Sequence, residues 1–402
     1  MATYDLTSQA FNDDPFPTYR KILAEAPIHW SESVGGWYVA RYADVAAGLR
    51  DPRLSTDRFT PMMNMLPEAV KQKFSHITRI ASKWTLMLDP PEHTRLRAMT
   101  GDSFSTRALD AYRPRVEAVV DEVLGRTLAA GRMDVVRDLA HALPLSVIAN
   151  LIGVSRDFFD QFAQWFQPCN ELFSKSAYTD EHVAAATDGL LKMEAYLEEI
   201  VEARRREPTN DIISHFIALP REKALSDEGI VAECILLLSA GQETAKTVIP
   251  HAVLTLLEHP EALDRLRRSP ELLKGAIEEI LRRDPPMHKL GRVALEDMDI
   301  CGQRIAKGDL VWLGIATANR DPAEFADPDR FDIDRKDNRH LAFGYGIHFC
   351  EGAGLARVEL RLLLERLIAL PELKLAVPRS TLTCVGGNHM RELTSLPITF
   401  QR

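Results

Sequence analysis

One cysteine in a glycine-rich loop, directly before a helical pattern, constrains this chain more than any other feature. The segment reads Leu341-Ala-Phe-Gly-Tyr-Gly-Ile-His-Phe-Cys-Glu-Gly-Ala-Gly-Leu-Ala-Arg357, with Cys350 ahead of the helix. Glycine has no Cβ, so it lets the backbone turn tightly and approach a large neighbour. Amides and the positive dipole end at a helix start favour a thiolate over a thiol. The loop therefore predicts a metal-binding cysteine, although a lone cysteine in a soluble protein is more often a small buried side chain.

The order of the residues around Cys350 favours metal binding. The loop resembles the haem-binding loop of the cytochrome P450 family at Phe343, Gly344, His348, Cys350, Gly352 and Leu355-Ala-Arg357. The resemblance implies that Cys350 is the axial thiolate ligand of a haem b iron. It also implies that Phe343 packs beside the sulfur and that loop amides around Gly344 and Gly352 donate to it. Glu351 and Gly354 depart from the family pattern, in which an aliphatic residue and a proline are common.

Composition and charge narrow the class of protein. The 402 residues are 46% hydrophobic and 27% charged, as in a soluble globular protein with a large core. Length alone suggests two or three domains, but no linker, repeat or composition break is present, and we expect a single domain over residues 1–402. The net charge of −9 argues against a nucleic-acid-binding protein. Scattered cysteines, no signal-peptide pattern and no long apolar run predict a cytoplasmic protein without a membrane anchor.

The hydrophobic periodicity is mostly helical, with a few strands. Helices are predicted from Asp14 to Ile22, near Val45, and over residues 109–130, 143–151, 183–206, 229–257, 270–283 and 352–368. Strands are predicted over residues 28–31 and 37–40, as a hairpin, and over 299–305 and 310–315. The resemblance implies the cytochrome P450 fold, mainly α with a small β-rich lobe. In that triangular prism the haem lies buried between the long central helix and the helix after Cys350.

The first candidate cofactor contact is a histidine–arginine pair near residue 93. Pro90-Pro91 is typical of a helix start, and His93 and Arg97 then share one helix face. Such a pair is common on protein surfaces. In the resemblance it matches the histidine and arginine that bind haem propionates, and a planar guanidinium suits a carboxylate.

The long central helix carries the second candidate site. A glycine inside a helix costs about 1 kcal/mol relative to alanine, so Gly241 requires a reason. One reason is that Ala240-Gly241 lets a neighbouring helix approach, with Thr244 bonding back to its own helix. The resemblance implies another reason: Ala240-Gly241 opens a groove where dioxygen sits, Thr244 holds a water or hydroperoxide, and Glu243 relays protons.

A charged network is predicted behind the haem-binding loop. Glu279 and Arg282 lie at i and i+3, a spacing that is common in solvated ion pairs. The resemblance implies instead a buried network of Glu279, Arg282 and Arg330 with a structural role. Arg292 and His348 match further propionate contacts.

The resemblance implies a monooxygenase. It would insert one oxygen atom from O2, by hydroxylation or epoxidation, into a mainly apolar molecule such as a terpenoid, steroid, polyketide or fatty acid. Electrons would come from an NAD(P)H-dependent reductase through a ferredoxin or flavodoxin, since this chain carries no flavin or iron–sulfur motif. Two alternatives are a peroxide-driven haem-thiolate enzyme and a haem protein that binds a ligand without catalysis. Members specialised for peroxide often lack the acid–alcohol pair, so the presence of Glu243-Thr244 disfavours the first.

Four segments are expected to line the substrate pocket by resemblance. They supply Met62, Met63, Met65 and Leu66; Leu237 and Ala240; Met287, His288 and Lys289; and a turn near Asn388 with His389 and Met390. Methionine suits an irregular apolar shape, although a methionine cluster is more often plain core. Polar groups in an apolar cavity usually orient a ligand, which predicts a substrate with an oxygenated group. For Lys289 a propionate contact or solvent exposure is an equal alternative.

Overall fold

The computed structural model describes residues 4–156, 158–174, 179–220, 224–386 and 389–401. Asn388 and the side chain of Met62, both predicted to line the pocket, lie outside this part. The described chain is mainly helical with four small sheets, as the sequence predicts. The helices are α1 (Gln9–Asp13), α2 (Phe16–Glu25), α3 (Tyr42–Gly48), α4 (Phe59–Asn64), α5 (Glu68–Ala81), α6 (Glu92–Thr100), α7 (Thr106–Leu128), α8 (Leu143–Ile152), α9 (Phe158–Ser174), α10 (Asp180–Arg206), α11 (Ile212–Ile217), α12 (Asp227–Glu258), α13 (Pro260–Arg268), α14 (Leu273–Arg283), α15 (Ile315–Ala318) and α16 (Ala353–Ile368).

The strands are short. They are β1 (Ile28–Ser31), β2 (Gly36–Val39), β3 (Leu54–Ser55), β4 (Arg132–Asp134), β5 (Leu290–Ala294), β6 (Met298–Ile300), β7 (Gln303–Ile305), β8 (Leu310–Leu313), β9 (Lys374–Leu375), β10 (Cys384–Gly386), β11 (Arg391–Leu393) and β12 (Pro397–Thr399). The largest sheet has the order β1-β2-β8-β5-β3, in which β2 and β8 run parallel and the other pairs antiparallel. The smaller sheets are β4-β12-β9, β10-β11 and β6-β7.

The register of β5 and β8 fixes which side chains share a face of the large sheet. Arg292 lies opposite Val311, and Gly291 lies opposite Trp312. Side chains alternate along a strand, so Arg292 and the neighbouring position 291 face opposite sides of the sheet. Val311 belongs to the hydrophobic cluster on one face, and Trp312 to the cluster on the other.

The chain divides into two compact units. The first comprises Met1–Ser55, Val116–Pro144 and Thr244–Arg402 and contains all strands of the described residues. The second comprises Thr56–Arg115 and Leu145–Glu243 and is helical where described, with α10 packed against α9, α5 and α11. The expected single domain over residues 1–402 stays a prediction.

Local chemistry explains where several elements begin and end. A capping box sets the start of α10: the Thr179 hydroxyl accepts from the His182 N–H, and the His182 ring accepts from the Thr179 N–H. This helix therefore begins three residues before the predicted start. Residues 299–305, predicted as one strand, lie in the β6–β7 hairpin, because Cys301 and Gly302 take positive φ and turn the chain. Helix α9 was not predicted.

One described segment, Val135–Ile152, is long and apolar enough to cross a membrane by length and composition alone. Of that window, 72% is buried inside the protein, as expected for a core segment.

Candidate active site

Cys350 lies in a tight loop three residues before α16. Its backbone N–H donates to the Phe343 carbonyl at 2.9 Å and closes the loop. Gly344 and Gly346 have φ of +72° and +78°, a region that favours glycine, so these two positions require it. A Cβ on Gly352 would stand 3.9 Å from Cys350 Sγ, an ordinary van der Waals distance, so Gly352 lies directly beside the sulfur.

The surroundings of the five cysteines, all of them described, distinguish Cys350. Burial raises the pKa of Cys169 to about 12 and also raises the pKa of Cys234 and Cys384. The Cys301 thiol lies 3.1 Å from the Asp44 carboxylate, which raises its pKa as well. All four surroundings disfavour a thiolate, the form that binds metal.

The Cys350 loop fits a large apolar macrocycle. The thiol is accessible, and the neighbouring Ile347 and Phe349 side chains are 53% and 41% exposed, which is unusual for large apolar groups. A single soft sulfur donor among exposed apolar groups matches the needs of haem iron. On the other side of the loop Arg357 stacks over the Phe343 ring, 4.4 Å from its centroid.

Helix α14 carries the charged network predicted behind this loop. Glu279 and Arg282 are completely buried and form two parallel hydrogen bonds of 2.8 Å. Arg282 also donates to the Asn319 carbonyl at 2.8 Å. The surface ion pair considered from spacing alone is therefore excluded.

The prediction that Arg330 is the third member of this network is wrong. Its side chain is 68% exposed, and only its carbonyl takes part, accepting from Arg282 and Arg335. Arg335 instead donates to both Glu279 oxygens at 3.2 and 3.0 Å, and Asn338 donates to one of them. The sequence offers three arginines close together, Arg330, Arg335 and Arg339, and spacing does not decide which of them turns inward.

A second ion pair, which sequence reasoning missed, joins α14 to the helix that follows Cys350. Arg357 in α16 donates twice to Glu278, with both distances 2.7 Å, and His340 donates to the same carboxylate at 3.1 Å. Burial alone would raise the pKa of Glu278, but these donors outweigh it and lower the pKa to about 2. The sequence signals for this pair were the doubled acid Glu278-Glu279 and, separately, the Leu-Ala-Arg357 motif after Cys350.

The predicted propionate contacts lie in both units. In the first, Arg292 is buried on β5, and His348 is half-buried two residues before Cys350. Leu290, two residues before Arg292, would lie 4.0 Å from a Cβ on Gly344, so β5 passes beside the Cys350 loop. In the second unit, His93 and Arg97 lie on α6. Burial, and next the charge of Arg97, lowers the pKa of His93, which favours a neutral imidazole.

Helix α12 presents one accessible stripe. Between Ile230 and Leu256 it is buried except at Leu237, Ala240, Gly241, Glu243, Thr244 and Lys246. Leu237, Ala240, Gly241 and Thr244 follow the spacing i, i+3, i+4, i+7 and share one face, with Glu243 at its edge. The same Gly241 packs near α8: an added Cβ would lie 3.4 Å from Ile148. Both reasons for a glycine here are compatible with the structure, and the groove stays a prediction.

The two predicted pocket segments that contain Met287 and Met390 pair through an isolated β-bridge between these two residues. Lys289, whose role the sequence left open, directly precedes β5 and lies on the Trp312 face of the large sheet. There its ammonium lies 5.4 Å from the Trp312 ring centroid, and His389 packs on the same ring. A propionate contact shared with Arg292 is therefore disfavoured for Lys289.

Comparison with known proteins agrees with this geometry. The family model "Cytochrome P450" matches residues 65–383. The chain is 35% identical to the biotin biosynthesis cytochrome P450 of Bacillus subtilis, covering 98% of both chains. It is 36% identical to a vitamin D(3) 25-hydroxylase of Pseudonocardia autotrophica, covering 98% of this chain and 96% of that one.

A solved structure shows the same fold. The structure of P450BioI in complex with hexadec-9Z-enoic acid ligated acyl carrier protein superposes with a TM-score of 0.89 at 34% identity, covering 98% of this chain and all of the other. A mainly helical chain with small sheets, an apolar-flanked cysteine and a buried Glu279–Arg282 pair thus accompanies sequence similarity over nearly its whole length. The chain therefore belongs to the cytochrome P450 family, as a haem-dependent monooxygenase.

Proposed function

We propose that this enzyme inserts one oxygen atom into a mainly apolar small molecule of the steroid, terpenoid, polyketide or fatty-acid type. The observation that carries the proposal is the accessible stripe on α12, where apolar Leu237 and Ala240 stand beside polar Glu243 and Thr244 on an otherwise buried helix. Two relatives support the same range: one is a vitamin D(3) 25-hydroxylase, and one is seen in complex with an acyl carrier protein that carries hexadecenoic acid. When bound, thiolate-ligated haem supplies the splitting of dioxygen, with one atom transferred and the other released as water.

The chain's own residues have distinct proposed roles. Cys350 supplies the axial thiolate, and Phe343, Gly344 and Gly352 shape its loop. Four cationic or neutral donors hold the two propionates: Arg97, Arg292, His93 and His348. The buried Arg292 guanidinium suits this role because a charged donor removed from water gains most from a carboxylate partner. Thr244, on the α12 stripe, and Glu243, at its edge, deliver protons.

The electrons are proposed to come from separate proteins, a ferredoxin or flavodoxin and its NAD(P)H-dependent reductase, in the cytoplasm. The peroxide-driven alternative is distinguished by its requirement for reductant. We expect the holoenzyme with a surrogate ferredoxin, reductase, NADPH and air to form product, and peroxide alone to form much less.

The Thr244→Ala variant tests the proton-delivery role in the same assay. We expect it to bind substrate and consume NADPH as before but to release more peroxide or water per product. Thr255→Val, a buried position of the same helix outside the stripe, is the matched control. Equal product per NADPH in the wild type and Thr244→Ala would refute the role of Thr244. Equal product from peroxide alone would refute the proposed electron route.

A further inference from the structure

A small cavity in the first unit lies away from the Cys350 loop. It is bounded by residues of the N-terminal segment, by His288 and Lys289 after α14, and by His389, Met390 and Arg391. The residues that the argument uses are Leu6, Phe11, Tyr19, Tyr38, Lys289 and Arg391.

Lys289 brings a buried positive charge to this cavity. Its side chain is 6% exposed, and within the described part of the chain its ammonium has no hydrogen-bonded or ion-paired partner, only the face of the Trp312 ring at 5.4 Å. Burial lowers the pKa of Lys289 to about 8, so the ammonium form still prevails at pH 7. A buried charge without a counter-charge is costly, so a site of this kind favours an anion.

The neighbouring polar groups do not supply that anion. Arg391 is also buried, and its guanidinium donates hydrogen bonds to the Asn12 and Asp13 carbonyls, at 2.6 and 2.8 Å. The Asp284 carboxylate lies 4.0 Å from Arg391. Among the described residues that line the cavity, Lys289 and Arg391 are cationic and none is acidic.

The remaining lining is apolar and aromatic. Leu6, Phe11 and Tyr38 contribute carbon surface, and the Tyr19 hydroxyl is held by His288 at 2.8 Å. A buried ammonium beside such a wall matches a ligand with one negative end and a short apolar remainder.

We propose that this cavity binds the carboxylate end of a small acid with a short alkyl group, with Lys289 as the principal ion partner. The site stands apart from the proposed oxygenation function, because the Lys289 ammonium lies against Trp312, on the face of the large sheet opposite Val311 and its partner Arg292. Binding there is a separate equilibrium that involves no haem ligation.

Calorimetric titration of the wild-type holoenzyme with butanoate at pH 7 and constant ionic strength tests the site. We expect saturable binding without a change in the Soret band. Lys289→Met should bind at least tenfold more weakly, because it keeps the chain length but loses the ammonium. Lys307→Met, which removes an exposed lysine of the same unit, should bind as the wild type does. The same titration with formate and with hexanoate shows whether the site takes a free small acid or the end of a longer chain.

Absence of saturable butanoate binding, or equal affinity in Lys289→Met, would overturn the proposal. A crystal of the wild-type holoenzyme soaked in butanoate gives an answer that does not depend on a variant folding. Carboxylate density within hydrogen-bond distance of Lys289 Nζ supports the site, and water alone in the cavity refutes it.

Discussion

At the scale of single residues, Cys350 is separated from the other cysteines by its surroundings. Its thiol is accessible in a loop before a helix, whereas the environments of the other four raise their thiol pKa values. We expect Cys350→His to abolish the strongly red-shifted Soret band of the reduced carbon monoxide complex. Cys301→Ser, at the other accessible cysteine, should retain that band. If Cys350→His keeps it, another residue is the axial ligand.

The lowered pKa of Glu278 predicts how the stability of the fold depends on pH. Its pKa lies at about 2 in the folded protein, below the ordinary value of 4.5. A lowered carboxyl pKa stabilises the fold above pH 4.5, and the stabilisation is lost as the pH falls toward 2. The shift corresponds to about 3 kcal/mol at pH 7, of which ~1.4 kcal/mol disappears per pH unit below 4.5.

We therefore expect Glu278→Gln to lower the free energy of unfolding at pH 7 and to approach the wild type as the pH falls below 4.5. Urea unfolding at several pH values between 7 and 3.5 measures this difference. The control is Glu271→Gln, an exposed acid just before α14 with no ion pair among the described residues. A difference between Glu278→Gln and the wild type that is the same at pH 7 and 3.5 would contradict the shifted pKa.

At the scale of elements, the prediction concerns which arginine, Arg335 or Arg330, turns inward to complete the α14 network. Removing one partner of a buried ion pair leaves an uncompensated charge and costs about 3–5 kcal/mol. Arg335 is 9% exposed and bonds Glu279 through its side chain, whereas Arg330 contributes only a carbonyl. We expect Arg335→Ala to lower the soluble yield, the melting temperature and the haem content per protein. Arg330→Ala should leave all three near the wild-type values, and equal loss in both variants would restore the original assignment to Arg330.

The sequence predicts the elements better than it predicts their partners. The predicted bounds of α12, α14 and α16 lie close to the observed ones. Helices α14 and α16 bury a face that repeats with the helix period, whereas α12 is a long apolar run that is buried on most sides. Helix α9 also buries a face with the helix period, at Phe158, Phe162, Phe166 and Cys169, so periodicity could have found it; against a helix stands Pro168, which lies inside it. Its stability comes from packing against α10, for example Phe158 stacked on Tyr196 at 3.9 Å, which local patterns do not reveal.

The same limit applies to the candidate site. The residues of the Cys350 loop lie together in sequence, so the resemblance names them as a group. Glu278 and Arg357 are 79 positions apart, and Glu279 and Arg335 are 56 apart. Such pairs depend on how α14, α16 and the intervening loop pack, and a single sequence does not encode that packing locally. The face of Lys289 likewise becomes known only from its contact with the Trp312 ring.

At the scale of the whole molecule, the prediction concerns how substrates are selected. The accessible stripe of α12 is apolar at Leu237 and Ala240, and the buried Lys289 ammonium lies on the other face of the large sheet from Arg292. Affinity in the oxygenation site should therefore follow apolar area. Each added methylene contributes about 0.8 kcal/mol, roughly fourfold in the dissociation constant, until the pocket is filled.

Spin-state titrations with straight-chain acids from decanoic to hexadecanoic acid, and with the matching alcohols, measure this dependence. We expect a rise in affinity with chain length in both series. Lys289→Met should leave the acid-to-alcohol ratio of dissociation constants unchanged, because its charge does not reach the substrate that shifts the spin state. A selective loss of the acids in Lys289→Met would show that this lysine anchors the substrate after all. Affinities that are flat with chain length would instead show that polar contacts, rather than buried carbon surface, select the substrate.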